Sequence, residues 1–310
     1  MRIRDRQRVE QQLEAGFLHY ESSEQLLPGI TQYENRLALI AQMVDSIRRV
    51  EYARMLAGRG VDAEVADPAS DRFDPLKAAV YYRSIGNIDE ACWLVFLATH
   101  FGKHLTTGWR LLKDVYGALG HGPAWTWDRV SLLPWGLGDW LVANYPILTG
   151  DGTPRHFGNH RKYESLRSTP NGTGAVVASY VQWINAFGGH ACLFFQASDS
   201  RSSRQAFAWL YANMAVHRFG RTAKFDYLTM LSKLQLASIE ADSAYLSGAT
   251  GPLRGARLLV DGRIQSSSGA RALDQKLVRL AECLGVGMQE MEDALCNWQK
   301  SPNRYRAFRG

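Results

Sequence analysis

The stretch "GATGPLRGARLLVDG" (residues 248–262) is followed closely by "ALDQKLVRLAECLGV" (residues 272–286). The first stretch is rich in glycine and basic side chains, whereas the second has the spacing of an amphipathic helix with one acid, Asp274, at its start. A turn that leads into a helix can bind an anion through backbone amides, and a carboxylate can act as a base or stabilise a cation. Together these stretches predict a helical fold that carries a functional site.

Residues 242–260 are predicted to form a hairpin of two short helices joined by a glycine turn. Gly248 and Gly251 give the backbone the freedom that such a turn needs. The amides at the start of the second helix would bind a phosphate without a specific side chain, and Arg254 and Arg257 would add positive charge. The alternative is an ordinary connection between helices, in which the glycines only cap helix ends.

The rest of the chain also favours helices. Apolar residues recur at helical spacing in most segments outside residues 58–75 and 120–175, and few stretches alternate as strands do. We therefore predict a mostly α fold with an extra Gly/Pro/Trp-rich middle region at 120–175. The expected division is an N-terminal helical part with its linker (1–75) and a main helical region (76–310), unless the two form one compact unit.

The longest apolar run is "CWLVFLA" (92–98), which is far too short to span a bilayer. Asn87 is predicted to cap the helix that contains this run. Asp89 and Glu90 then fall in its first turn, where the helix dipole favours acids. We attribute these two acids to helix stability rather than to catalysis.

The 310 residues carry 36 basic and 30 acidic side chains, which gives a net charge of +6. This excess favours a polyanion such as DNA as partner, although ordinary charge scatter would also produce it. The four cysteines form no CxxC pair, so neither a zinc site nor a disulfide framework is expected. The charged N-terminus lacks the apolar core of a secretory signal, and we expect a cytoplasmic protein.

The order of these parts resembles that of helix-hairpin-helix DNA glycosylases. In that family a hairpin of the form LPGVGxxTA precedes a "VDTHVxRLAxRLG" helix, and here "LSGATGPLRGA" precedes "LDQKLVRLAECLG". The resemblance implies a glycosylase-like helical fold in which Asp274, 18 residues after Ala256, is catalytic. The segment beginning "ACWLVFLATHFG" resembles the early helix and loop of the family, which implies that His100 and Phe101 lie near the vacated base position, as pocket or wedge.

Two departures from that pattern limit the predicted chemistry. Members that also cut the DNA backbone have a lysine two residues before the hairpin alanine, where this chain has Arg254. Arginine cannot lose its proton to act as an amine nucleophile. Only Cys283 and Cys296 lie near the end of the fold, so no iron–sulfur cluster is expected. We therefore predict a monofunctional glycosylase that uses water and needs no cofactor and no metal.

A second resemblance covers nearly the whole chain. It is carried by "FGNHRKYESL", "FDYLTMLSKL", "SAYLSGATGPLRGARLL" and "MEDALCNWQKSPNRY", which are similar to the alpha-glutamyl/putrescinyl thymine pyrophosphorylase clade 3 family. The family name implies attack on a modified thymine of phage DNA. The resemblance extends to antiphage DNA glycosylases that excise alpha-glucosylated 5-hydroxymethylcytosine, which implies base excision as a defence. A bulky adduct needs a roomy polar pocket, whose walls we expect in the Trp/Gly-rich middle and in "GNHRKYE" (158–164).

The segment "HFGNHRKYESLR" (156–167) is densely cationic. We predict that Arg161 and Lys162 bind the DNA backbone, and that His160 and Tyr163 belong to the base pocket or wedge, with Tyr163 able to stack on a base. The alternative is a solvated basic loop. Its two histidines lie four residues apart without an HExxH-type pattern, so no metal site is predicted.

The complete set of candidate DNA-binding residues is Gly248, Gly251, Arg254, Arg257, Lys276, Arg161 and Lys162. The basic tail "SPNRYRAFRG" (301–310) is expected to be a soluble chain end, with contact to phosphates as the alternative. Two other functions stay open: a non-catalytic reader of modified DNA, and an enzyme that removes the adduct but leaves the glycosidic bond intact. The expected partner is double-stranded DNA with modified bases, bound by a monomer that does not associate with membranes.

Overall fold

The computed structural model describes residues 3–307, so the end of the basic tail at 308–310 lies outside the described residues. Within that range the chain folds into α-helices without a β-strand, which confirms the mostly α prediction. None of these helices combines the length and the apolarity that crossing a membrane requires. Numbered α1 to α14 in chain order, they are Ile3–Ser23, Tyr33–Ala57, Pro75–Ser84, Ile88–Phe101, Arg110–Tyr116, Trp127–Leu132, Gly136–Gly150, Thr173–Ala186, His190–Ser198, Ser203–Asn213, Arg221–Lys233, Gly251–Asp261, Ala270–Leu284 and Met288–Trp298.

The chain divides into two compact units. One unit, here the terminal unit, combines the residues up to Arg54 with those from Glu240 onward, and the other, here the central unit, comprises Met55–Ile239. This division does not coincide with the boundary expected at residue 75. The reason is that the C-terminal helices return to pack with α1, a pairing that a linear reading of the sequence does not show.

The terminal unit depends on close backbone approaches between helices. A Cβ atom on Gly16 of α1 would lie 2.6 Å from the carbonyl oxygen of Cys283 in α13. A Cβ atom on Gly255 of α12 would lie 2.4 Å from the carbonyl oxygen of Leu295 in α14. Glycine therefore allows α1 to touch α13, and α12 to touch α14, through their backbones, and Phe17 of α1 is completely buried.

Helix α4 lies at the centre of the central unit. Its residues 91–97 are completely buried, and Phe96 stacks on Tyr180 of α8 with ring centroids 3.7 Å apart. The predicted cap is confirmed, because the Asn87 side chain accepts a hydrogen bond from the amide of Glu90. The apolar run in the sequence is thus a core helix.

The Gly/Pro/Trp-rich middle region contains two helices, α6 and α7, that its composition conceals. Helix α7 continues through Pro146, a residue that normally interrupts a helix. It crosses α8 where Gly138 and Gly174 face each other, and a Cβ atom on Gly174 would lie 2.8 Å from the Cα atom of Gly138. The glycines that suggest a loop therefore permit a tight helix crossing.

The predicted hairpin is only half present. Helix α12 follows the glycine turn as expected, but residues 242–250 contain no helix before that turn. Local side-chain bonds shape this segment instead: the Tyr245 amide donates to Ser243 Oγ at 3.0 Å, and the Tyr245 hydroxyl donates to Asp242 Oδ1 at 2.7 Å. The backbone of Tyr245 has a φ of 50°, which no helix allows.

Candidate functional site

Asp274 lies in the terminal unit on α13. The helix begins at Ala270, so Asp274 stands in the second helical turn and not, as predicted, in the first. Its Oδ2 atom accepts a hydrogen bond of 3.0 Å from the backbone amide of Leu246, whose side chain is completely buried. This bond fixes the half-buried carboxylate beside the segment that leads into the glycine turn.

The glycine turn presents backbone at the start of α12. Gly248 is exposed and has a φ of 76°, a conformation that favours glycine. Thr250 makes no side-chain cap to the helix, and Pro252 in the first turn has no amide hydrogen to be satisfied. Gly251 has a packing role, because a Cβ atom there would lie 2.8 Å from Cys296 Sγ. The turn therefore leaves the start of α12 without a side-chain cap, and of its two glycines only Gly248 needs its backbone freedom.

The predicted cations of the terminal unit differ in their surroundings. Arg254 is exposed on α12. Arg257 donates from Nε and Nη2 to the carbonyl oxygen of Ser268, at 3.3 Å each, so it holds the connection between α12 and α13. Lys276 is half-buried, two residues beyond Asp274. Arg254 is thus the cation of this set best placed to meet solvent or a phosphate.

Arg161 of the central unit has a structural role that the sequence did not reveal. It is 4% exposed, and its Nε donates to the Thr99 carbonyl oxygen at 2.7 Å while Nη2 forms an ion pair with Asp226 Oδ2 at 2.8 Å. A guanidinium that is almost fully buried and engaged in this way is poorly placed to bind a DNA phosphate. His160, Lys162 and Tyr163, by contrast, are exposed.

His100 and Phe101 end α4 inside the core, which corrects their placement at a vacated base. Each is 1% exposed. The Thr173 hydroxyl donates its proton to the Ser165 carbonyl oxygen. Its oxygen can therefore only accept from His100, and His100 Nε2 donates to it at 3.0 Å. Burial, together with the charges of Arg161 and Arg218, lowers the pKa of His100 to about 3, so the ring is neutral. Neither side chain can enter a base stack from this position.

The central unit also contains a chain of polar side chains, buried except at Asp89, that the sequence did not suggest. Asp89 Oδ1 accepts from the His190 amide at 3.1 Å and from His190 Nδ1 at 2.5 Å. His190 Nε2 lies 2.7 Å from the Tyr180 hydroxyl, which lies 2.9 Å from the hydroxyl of Tyr227. Burial lowers the pKa of His190, so the neutral ring donates to Asp89 and accepts from Tyr180. No local spacing rule relates residue 89 to residue 190.

Glu90 is buried beside this chain. It is 2% exposed and accepts hydrogen bonds from the Tyr116 hydroxyl at 2.7 Å and the Trp127 amide at 2.5 Å. Burial raises the pKa of Glu90 to about 7, despite these two donors. The residue assigned from sequence to the helix dipole is thus an internal link between α4, α5 and the start of α6.

Glu90→Gln should change how stability depends on pH. The folded pKa of Glu90, about 7, exceeds its ordinary value of 4.5. Its contribution is therefore fully present below pH 4.5 and lost as pH rises through 7, a loss on the order of 3 kcal/mol. Relative to the wild type, Glu90→Gln should be least stable at pH 5 and recover towards pH 8 in urea unfolding curves. A stability difference that stays constant from pH 5 to 8, as we expect for the exposed Asp71→Asn control, would contradict this account.

A pocket of about 540 Å³ opens within the central unit. Its walls come from α7, the loop at 166–170, α8 and His217. The Trp/Gly-rich middle region lines it, whereas residues 158–164 do not. No group of three or more His, Cys, Asp or Glu side chains that could hold a metal ion occurs in residues 3–307.

The model of a family described as alpha-glutamyl/putrescinyl thymine pyrophosphorylase clade 3 matches residues 34–310. No curated protein and no solved structure matches the chain. The match covers the whole central unit, the glycine turn and Asp274.

Proposed function

This chain belongs to the alpha-glutamyl/putrescinyl thymine pyrophosphorylase clade 3 family, and from that premise we propose that it is a monofunctional DNA glycosylase that releases a bulky modified pyrimidine. Family membership supports an enzyme that acts on modified bases. Our proposal adds two points to family membership. The reaction is that of a glycosylase, and the substrate is a base such as a modified thymine or alpha-glucosyl-hydroxymethylcytosine. Release of such bases would leave abasic sites in phage DNA.

The observation that carries this proposal is the bond of 3.0 Å between the Leu246 amide and Asp274 Oδ2. It ties a single carboxylate to a turn whose exposed backbone precedes an uncapped helix start. A helix start of this kind favours a phosphate, and the carboxylate favours a cation. A nucleotide that loses its base carries both charges: its phosphate is always negative, and its sugar becomes positive in the transition state.

The reaction needs only groups of this kind and water. The bond between C1′ and the base nitrogen breaks, its electron pair leaves with the base, and the base gains a proton. Asp274 stabilises the positive charge on the sugar and accepts a proton from the water whose oxygen bonds to C1′. Arg254 stands where an amine nucleophile would be required for strand cleavage, so the product is an abasic site in an intact strand.

Access to the bond requires the base to leave the stack, at a cost of a few kcal/mol. Contacts between phosphates and the backbone of the turn would offset part of this cost. The exposed Lys162 and Tyr163 remain further proposed contacts, whereas Arg161, His100 and Phe101 are buried and we leave them out of the proposed interface.

Product analysis on DNA that carries modified pyrimidines tests the proposal. Free modified base together with abasic sites in unbroken strands is the expected result. Retention of intact DNA without product would instead indicate a reader. Bases that stay in the polymer but lose their adduct would indicate the adduct-removing chemistry that the family description suggests, and either of these results would overturn the glycosylase assignment.

Arg254→Gln should weaken DNA binding and reduce the slope of log affinity against log salt by about 1, because one phosphate contact is lost. The effect should be similar for modified and unmodified DNA, since phosphate contacts carry no sequence information. Fluorescence anisotropy at several salt concentrations measures it. Arg48→Gln, an exposed arginine of α2, is the matched control and should leave the slope unchanged. Equal slopes for Arg254→Gln and the wild type would remove Arg254 from the interface.

A further inference from the structure

We propose that the pocket of the central unit binds a zwitterionic amino-acid group, with Arg167 contacting its carboxylate and Asp139 its ammonium. That this group is the adduct of a modified base rests on the proposed function. The binding of the free amino acid does not, so the two ideas can fail separately.

The pocket has a size that suits a small ligand, and part of its wall is rigid backbone. Its volume of about 540 Å³ lies within the range of sites for small molecules. Gly138 and Gly174 line it, and their backbones meet so closely that any side chain on Gly174 would collide with α7. The crossing of α7 and α8 therefore forms a rigid backbone floor.

Two opposite charges line this pocket without neutralising each other. Asp139 lies in the first turn of α7 and Arg167 in the loop before α8, and both side chains are exposed. Among the described side chains, those of residues 5–307, neither forms an ion pair with the other or with any third residue. Arg167 donates from Nε to the Tyr145 hydroxyl at 3.3 Å, which orients the guanidinium and leaves Nη1 and Nη2 for a ligand. A bidentate contact of these two nitrogens is the geometry that a carboxylate prefers.

A histidine completes the polar side. The His217 amide donates to Ser179 Oγ at 2.9 Å, and its Nε2 donates to the amide oxygen of Asn171 at 3.2 Å. In an imidazole that carries its proton on Nε2, Nδ1 is an acceptor. An acceptor of this kind suits an ammonium group, as does the carboxylate of Asp139.

The remaining wall is apolar. Trp135 and Val142 are 55% and 50% exposed at the pocket, with Leu141 and Leu166 behind them. These surfaces would pack against the methylene groups of a ligand. The pocket thus offers one carboxylate site, one ammonium site and an apolar surface, which together describe an α-amino acid.

The charges select between the two groups that the family description names. A glutamyl group has a carboxylate for Arg167 and an amine for Asp139, whereas a putrescinyl group has only amines and would leave Arg167 without a partner. A neutral sugar would leave both charges without a partner in a partly desolvated pocket. We therefore assign the pocket to a glutamyl-type group.

Isothermal titration calorimetry on the full chain tests the assignment with free L-glutamate, putrescine, glutarate and D-glucose. L-glutamate should bind in the millimolar range or tighter, glutarate more weakly because it lacks the ammonium, putrescine more weakly because it lacks the carboxylate, and glucose not measurably. Arg167→Gln should weaken glutamate binding about tenfold or more, and Asp139→Asn should abolish the preference for glutamate over glutarate. Arg59→Gln, an exposed arginine of the same unit outside the pocket, should bind as the wild type does.

The assignment is overturned if putrescine or glucose binds more tightly than glutamate, if no glutamate binding is detected, or if Arg167→Gln binds glutamate normally. Circular dichroism spectra of the variants show whether they are folded. Glutamate binding without base release from modified DNA would refute the glycosylase proposal alone. Base release without glutamate binding would refute the pocket assignment alone.

Discussion

Asp274→Asn should lower the rate of modified-base release by about 10³-fold or more while DNA binding persists. The amide oxygen of asparagine can still accept the hydrogen bond from the Leu246 amide, so the segment before the glycine turn keeps its position. What disappears is the negative charge that, in the proposed mechanism, stabilises the sugar cation and takes a proton from water. Single-turnover release of the free base, measured beside equilibrium DNA binding, separates these effects.

Two further variants distinguish chemistry from structure. Glu282→Gln neutralises an exposed carboxylate on the same helix and should release base at the wild-type rate. Asp274→Ala removes the hydrogen bond to Leu246 as well, so it should lose stability in addition to activity. Base release by Asp274→Asn at a rate close to that of the wild type would refute the catalytic role. Equal loss by Glu282→Gln would show that only the charge of the helix matters.

Gly255→Ala should destabilise the terminal unit by about 2 kcal/mol, although alanine is the better helix former by about 1 kcal/mol. The added Cβ atom would lie 2.4 Å from the carbonyl oxygen of Leu295 and 2.9 Å from its Cβ atom. Backbone atoms cannot move aside as a flexible side chain can, so α12 must separate from α14. Because α12 carries the glycine turn at its start, base release should also fall.

Urea unfolding measures the loss of stability, and Gly269→Ser serves as its control. Gly269 caps α13 in extended backbone, and no atom lies within 4 Å of a Cβ atom placed there. Serine also caps helices well, so this change should cost nothing or add a few tenths of a kcal/mol. If Gly255→Ala were as stable as the wild type, the contact between α12 and α14 would be looser than the structure indicates.

The glycine turn shows how far local patterns reach. Glycine content and the helical period correctly predicted α12 and α13, because both signals depend on neighbours within one or two turns. The missing first helix of the hairpin had no such signal. Residues 242–250 are instead shaped by hydrogen bonds from Tyr245 to Asp242 and Ser243, and by the bond from the Leu246 amide to Asp274 in α13.

Charged residues show more clearly where local sequence patterns fail to predict the structure. Arg161 and Lys162 are adjacent and look equivalent in the sequence, yet one is buried in an ion pair and the other is exposed. The difference arises from Asp226, 65 residues away, which only the folded chain brings within 2.8 Å. Glu90 was likewise assigned to the helix start, where it does lie, but its burial depends on Tyr116 and Trp127.

The sequence by itself determined the helical class, the Asn87 cap, the glycine turn and the place of Asp274 one helix beyond it. These features follow from hydrophobic period and backbone freedom, which act over short distances along the chain. The tertiary structure alone decided which charges stay at the surface, which histidines are neutral, and that α7 and α8 enclose a pocket with Asp139 and Arg167 at its wall. Burial and pairing of polar groups depend on partners distant in sequence, and no local pattern encodes them.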